Sequence, residues 1–187
     1  MKLKKVNAVL GLLAIFGLAV HVGYNIFAYM TMYYNPTLKI LTAAPFMICV
    51  CLHAICGMCA VFLQGDGTRM DIYGKQNRAT IIQRVSAALL FPLLILHLNG
   101  YIILQSLSEE GNWVMFAVVM LLNVFFFLAV AAHIATSFSK AFITLGLLQD
   151  RKKQQTIDRI AYVLCTVMFI IAAVVVVRGE LIMFVPK

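Results

Sequence analysis

The chain has 187 residues, of which 63% are hydrophobic and only 12% charged, with a formal net charge of +8 and a mean hydropathy of +0.96. A water-soluble domain of this length needs far more charge to cover its outside, so a soluble enzyme is excluded. Nucleic-acid binding is excluded as well, because the basic residues lie in short segments between apolar runs rather than on a soluble face.

Five apolar runs reach the roughly 20 residues that a helix needs to cross a bilayer. They fall at about 6–33, 41–64, 79–107, 113–138 and 157–180. The predicted fold is an all-α integral membrane protein, a single domain over 1–187, with helices I–IV forming a bundle and helix V peripheral. Helix I follows Met1-Lys2-Leu3-Lys4-Lys5 and stays apolar through Ala28 and Tyr29. A secretory signal has an apolar core of only about 7–15 residues, so this one reads as a retained span. Asn35-Pro36-Thr37 turns the chain into helix II, which carries Cys49, Cys51, Cys56 and Cys59. Cys56-Gly57-Met58-Cys59 is followed by Ala60, not by the histidine that covalent haem attachment requires, and these thiols receive no chemical role.

A polar loop opens at Gln64-Gly65-Asp66-Gly67-Thr68 and runs through Arg69, Asp71, Tyr73, Gly74 and Lys75 to helix III. A short acidic turn at 108–112 leads to helix IV. A second polar loop is expected over about 139–156 ahead of helix V. Placing the N-terminus inside collects Lys2, Lys4, Lys5, Arg69, Lys75, Arg78, Arg84, Lys140, Arg151, Lys152, Lys153 and Arg159 on the cytoplasmic face. Only Lys39, Arg178 and Lys187 then fall outside, the asymmetry that sets orientation. The C-terminus is therefore expected outside. Both long loops face inward, where a soluble partner would dock.

The chain has four histidines, His21, His53, His97 and His133, one in each of the first four spans. An ionisable side chain in hydrocarbon is costly and marks a functional site. At about 1.5 Å of rise per residue, His21 and His97 both lie roughly 20 Å from the inner boundary. His53 lies about 16 Å and His133 about 10 Å from it. The depths pair His21 with His97 and His53 with His133. Two imidazoles facing across a bundle can hold one haem iron from both sides, which leaves no axial site for oxygen and makes electron transfer the expected work. Gly17, Gly57 and Ala129 each lie four residues from a histidine and would let a flat porphyrin approach. Interior carboxylates are not expected in the spans, which argues against a proton relay or ion transporter.

These residues, together with Arg84-Val85-Ser86 ahead of Leu94 to His97 and His133-Ile134-Ala135-Thr136-Ser137 leading to Thr144-Leu145-Gly146, carry a resemblance. The chain resembles the di-haem cytochrome b subunit of succinate dehydrogenases and fumarate reductases, over nearly its whole length. It departs from the family at Ala87 and Ser137, where glycine is common. The resemblance implies two b haems, His21 and His97 on the outer (distal) one and His53 and His133 on the inner (proximal) one. It also implies a flavoprotein and an iron–sulfur subunit on the cytoplasmic face, and menaquinone or ubiquinone as the membrane substrate. The expected location is the bacterial cytoplasmic (inner) membrane, within a complex able to form a higher oligomer. Arg84, Ser86 and Lys140 are expected near the inner haem propionates, as charge-assisted hydrogen-bond donors. For quinone, the outer polar candidates are Asn25, Tyr29, Asn99, Tyr101 and Gln105, with an inner site around Arg84, Ser86 and Tyr73 left open. Two other readings also stay open: a haem-free membrane anchor or assembly protein, and a di-haem anchor for a different cytoplasmic reductase.

Overall fold

The computed structural model describes residues 2–64 and 77–185. It is all-α, with α1 Lys2–Thr31, α2 Pro36–Gln64, α3 Asn77–Glu109, α4 Trp113–Leu145 and α5 Arg151–Phe184. All five are long and apolar enough to span a membrane, so the chain is a multi-pass membrane protein. The shortest has 29 residues, about 44 Å of helix against about 30 Å of hydrocarbon. Several turns of each helix therefore lie in the headgroup layers. Arg69, Asp71, Tyr73, Gly74 and Lys75 of the first polar loop, and Lys187, lie outside the described residues.

The helix ends are set by capping, not by the limits of the apolar runs. Met32 ends α1 with φ of 55°. The side chain of Asn112 accepts from Met115 N at the start of α4, and Gly146 closes that helix in the left-handed conformation at φ 82°, where glycine carries no Cβ penalty. Asp150 then caps α5 by accepting from Lys152 N at 2.8 Å. The second polar loop, expected over 139–156, is thus reduced to the few residues between Leu145 and Arg151. Ser139 and Lys140 are helical. Hydropathy falls there because the helix leaves the hydrocarbon, while its backbone hydrogen bonding continues to the glycine.

Pairing is strongest between α1 and α2 and between α3 and α4, with α5 lying along α4 and also reaching α1 and α3. The helix expected at the periphery thus packs against three others. Gly17 sits so close to α2 that a Cβ would lie 3.1 Å from Phe46 Cβ. The Tyr24 hydroxyl donates to Asn35 O at 2.7 Å and accepts from Asn35 N at 3.0 Å, tying the α1–α2 turn to α1. At the end of the bundle that holds the α3–α4 turn, Leu104, Phe116 and Val119 form a buried cluster, flanked by Met120 and Phe184. Elsewhere the bundle is open. Among the described residues no Cα of α1 comes within 8 Å of α3, and none of α2 comes within 8 Å of α3 or α4. The helix pairs that carry the paired histidines, α1 with α3 and α2 with α4, are pairs whose backbones stand apart.

Candidate functional site

The pair expected on the inner side is built from four helices. His53 on α2 and His133 on α4 face each other with ring centres 6.2 Å apart and planes at 73°. The helix ends explain the level match: His53 lies eleven residues before the end of α2 and His133 twelve before the end of α4. The apparent depth difference of about 6 Å came from taking Lys140 as the inner boundary, when α4 continues to Leu145. His53 Nδ1–H donates to Asn7 O of α1 at 3.0 Å. The ring can reach that carbonyl because residue 11 is glycine; a Cβ there would stand 3.0 Å from His53 Cε1. His133 Nδ1–H donates to Gln83 O of α3 at 3.1 Å.

The outer pair is held differently. His97 stacks on Phe126 at 4.7 Å and meets Phe127 edge-on at 5.7 Å. Its Nδ1–H donates to Asn123 Oδ1 at 2.8 Å. His21 stacks on Phe46 at 5.7 Å. Its Nε2 accepts from Asn25 Nδ2 at 3.2 Å, while the same amide donates to His21 O at 2.7 Å. His21 Nδ1 is buried and has no partner among the described residues. His21 and His97 lie within electrostatic reach of each other, and Lys39 reaches both.

These bonds assign the ring nitrogens. A carbonyl or amide oxygen only accepts, so His53, His97 and His133 each carry their proton on Nδ1 and keep an electron pair on Nε2. That is how protein-bound metals take histidine: one nitrogen ligates and the other donates to a carbonyl or carboxylate. With metal–nitrogen bonds of about 2 Å, two rings on opposite sides of one ion sit roughly 6 Å apart, centre to centre. The ring-centre spacing of His53 and His133, 6.2 Å, matches that value. His97 fits as one outer ligand. His21 fits once Asn25 gives up the longer of its two bonds, worth about 0.5–1.5 kcal/mol net, and keeps the shorter one to the backbone. All four rings are only half-buried, so none is sealed off by packing.

The remaining expected site residues divide. Lys140 donates to Gln83 Oε1 at 2.8 Å and Thr80 Oγ1 at 3.2 Å. Arg84 lies within its electrostatic reach. Ser86 is buried, donates to Gln83 O at 3.0 Å, and stands 3.5 Å from His133 Nδ1. These three do gather beside the inner pair. The outer polar candidates do not all converge. Asn99 is exposed and donates to its own helix at Ile95 O, and exposed Gln105 donates to Glu109. Asn25 serves His21. Tyr29 packs its ring against Gly179 of α5, within electrostatic reach of Tyr101 and Glu180. Tyr101 is exposed, edge-on to Phe184 at 5.2 Å.

Glu180 overturns the expectation of spans without interior carboxylates. It is 4% exposed and accepts from Asn123 Nδ2 at 3.0 Å. Lying near the end of an apolar run, it reads by hydropathy as a boundary residue; α5 continues to Phe184 and packs it inward. Sequence reasoning also missed Asn7, Gly11, Gln83 and Asn123. Asn123 alone had a readable signal, as a polar residue in the midst of Val118 to Phe127. Gly17 and Gly57, read as porphyrin clearances, instead face Phe46 and Asn7 across the α1–α2 seam. Comparisons with protein-family models, with curated proteins and with solved structures gave no match.

Proposed function

We propose that this chain is the membrane anchor and electron-transfer subunit of a succinate:quinone oxidoreductase, with His53 and His133 holding an inner b haem and His21 and His97 an outer one. The observation that carries the reading is the set of three Nδ1 hydrogen bonds, to Asn7 O, Asn123 Oδ1 and Gln83 O, which leave three Nε2 electron pairs without a partner among the described residues. Among the described residues each of these three rings spends only Nδ1 on such a bond, which suits ligation through Nε2. When bound, two such haems supply one-electron steps between the cytoplasmic side and the outer half of the membrane.

The chain's own residues do the rest. Asn7, Gln83 and Asn123 hold imidazole tautomers. Lys140, Arg84 and Ser86 place positive charge and a hydroxyl at the inner end, suited to carboxylate groups. Tyr29, which lies within electrostatic reach of Glu180, and Tyr101 are the phenol donors suited to a quinone carbonyl at the outer end. The dicarboxylate chemistry belongs to a flavoprotein, reached through an iron–sulfur partner on the inner face.

The test is a reduced-minus-oxidised spectrum of the purified chain, with haem quantified per polypeptide. A sharp b-type α-band and two haems per chain are expected; its absence in correctly inserted protein overturns the reading. A specific observation favours the haem-free anchor at one place only, where Asn25 occupies His21 Nε2. One haem per chain, lost on replacing His53 but not His21, would decide for that version at the outer pair. Co-purification with a flavoprotein and an iron–sulfur protein tests the choice of partner.

A further inference from the structure

The contact between Glu180 and Asn123 gives His97 a support that the inner histidines lack. His53 and His133 donate to backbone carbonyls, which can only accept. His97 donates to a side-chain amide, and an amide is ambiguous: its oxygen and its NH2 have nearly the same shape and opposite hydrogen-bonding character. Turned one way, Asn123 accepts from Nδ1–H and leaves the electron pair on Nε2. Turned the other way, it donates to Nδ1 and moves the proton to Nε2, where it blocks ligation. The stacked Phe126 and edge-on Phe127 hold the plane of the ring, so the amide has only the tautomer to choose.

Glu180, as a carboxylate that can only accept, makes that choice. Its Oε1 accepts from Asn123 Nδ2 at 3.0 Å, which turns Oδ1 toward His97 at 2.8 Å. Both side chains are buried, Asn123 at 7% and Glu180 at 4% exposure, so water does not compete for the amide. Glu180 Oε2 has no partner among the described residues, leaving Asn123 as the contact that orients this carboxyl group. A carboxyl group in this setting is costly, and a hydrophobic residue would fill the space between α4 and α5 at less expense.

We propose that Asn123 and Glu180 are positioning residues for His97: Glu180 orients the Asn123 amide, which locks His97 as the Nδ1–H tautomer and reserves Nε2 as an electron-pair donor to an iron in the outer half of the membrane. The inference rests on the haem reading for the identity of the iron, but the tautomer lock can be read without it.

The experiment uses the full chain in nanodiscs with 15N-labelled histidine, prepared without haem, and a His97→Ala control to assign the His97 signals. The wild type shows His97 as the Nδ1–H tautomer alone. Glu180→Gln keeps the shape but lets residue 180 donate or accept, so an Nε2–H population appears. The exchange Asn123→Asp with Glu180→Gln puts an acceptor-only group on His97 and a donor behind it, and restores the single tautomer. After haem is supplied, outer-haem affinity falls about 10- to 100-fold in Glu180→Gln. It recovers in the exchanged protein, and the inner haem is unchanged throughout. Unchanged tautomers in Glu180→Gln, or no recovery in an exchanged protein whose inner haem shows it to be folded, overturn the inference. A tautomer shift in a protein that takes up no haem supports the positioning device and overturns the haem reading instead.

Discussion

The rings of His53 and His133 stand 6.2 Å apart, centre to centre, although no described Cα of α2 comes within 8 Å of a Cα of α4. Side chains alone bridge the space between α2 and α4, and each ring is held by a third party, Asn7 of α1 or Gln83 of α3. A pair assembled this way is fixed by its neighbours, not by its own contact. Its properties should therefore follow substitutions on α1 and α3.

On the proposed haem reading, replacing His53 or His133 by alanine should remove the inner haem and spare the outer one. Haem content and the low-temperature α-band, resolved into two components, check this. Loss of both haems in inserted protein would contradict the pairing.

Gly11→Leu should act like loss of His53 without touching it. Even a Cβ at residue 11 lies 3.0 Å from His53 Cε1, so a larger side chain must push the ring from Asn7 O. We expect about 1–3 kcal/mol of destabilisation from overpacking, with the inner haem lost and the outer retained. Gly23→Leu, where a Cβ meets nothing within 4 Å, is the control.

Gly179→Ala should loosen the outer end, because its Cβ would overlap the Tyr29 ring. Thermal unfolding in detergent should show a lower Tm. Adding Tyr29→Ala should recover part of the loss, with a coupling of about 0.5–3 kcal/mol. Additive losses would place the strain elsewhere.

Tyr24→Phe removes both hydrogen bonds to the backbone of Asn35. The expected cost is about 1–3 kcal/mol, read as increased proteolysis at the first outer turn and a lower Tm. Haem content should not change.

Orientation can be checked with single cysteines in a cysteine-free background. Lys39→Cys should react with a membrane-impermeant maleimide in intact cells, and Lys152→Cys only in inverted vesicles. The reverse pattern would invert the topology inferred from the basic residues.

What the sequence determined by itself was the number of spans and the shared level of His53 and His133. Hydropathy and the rise per residue are properties of one helix at a time, so they survive without knowing the neighbours. Errors arose at the helix ends, as at 138 against Leu145, because caps and not apolarity stop a helix. Only the tertiary structure decided which nitrogen each imidazole protonates, since that depends on the rotation of each helix about its axis and on the group it meets: Asn7 O, Gln83 O or Asn123 Oδ1. It also turned Glu180, a residue near the end of an apolar run, into the buried partner of Asn123, because hydropathy counts a carboxylate's cost and cannot see the amide that offsets it.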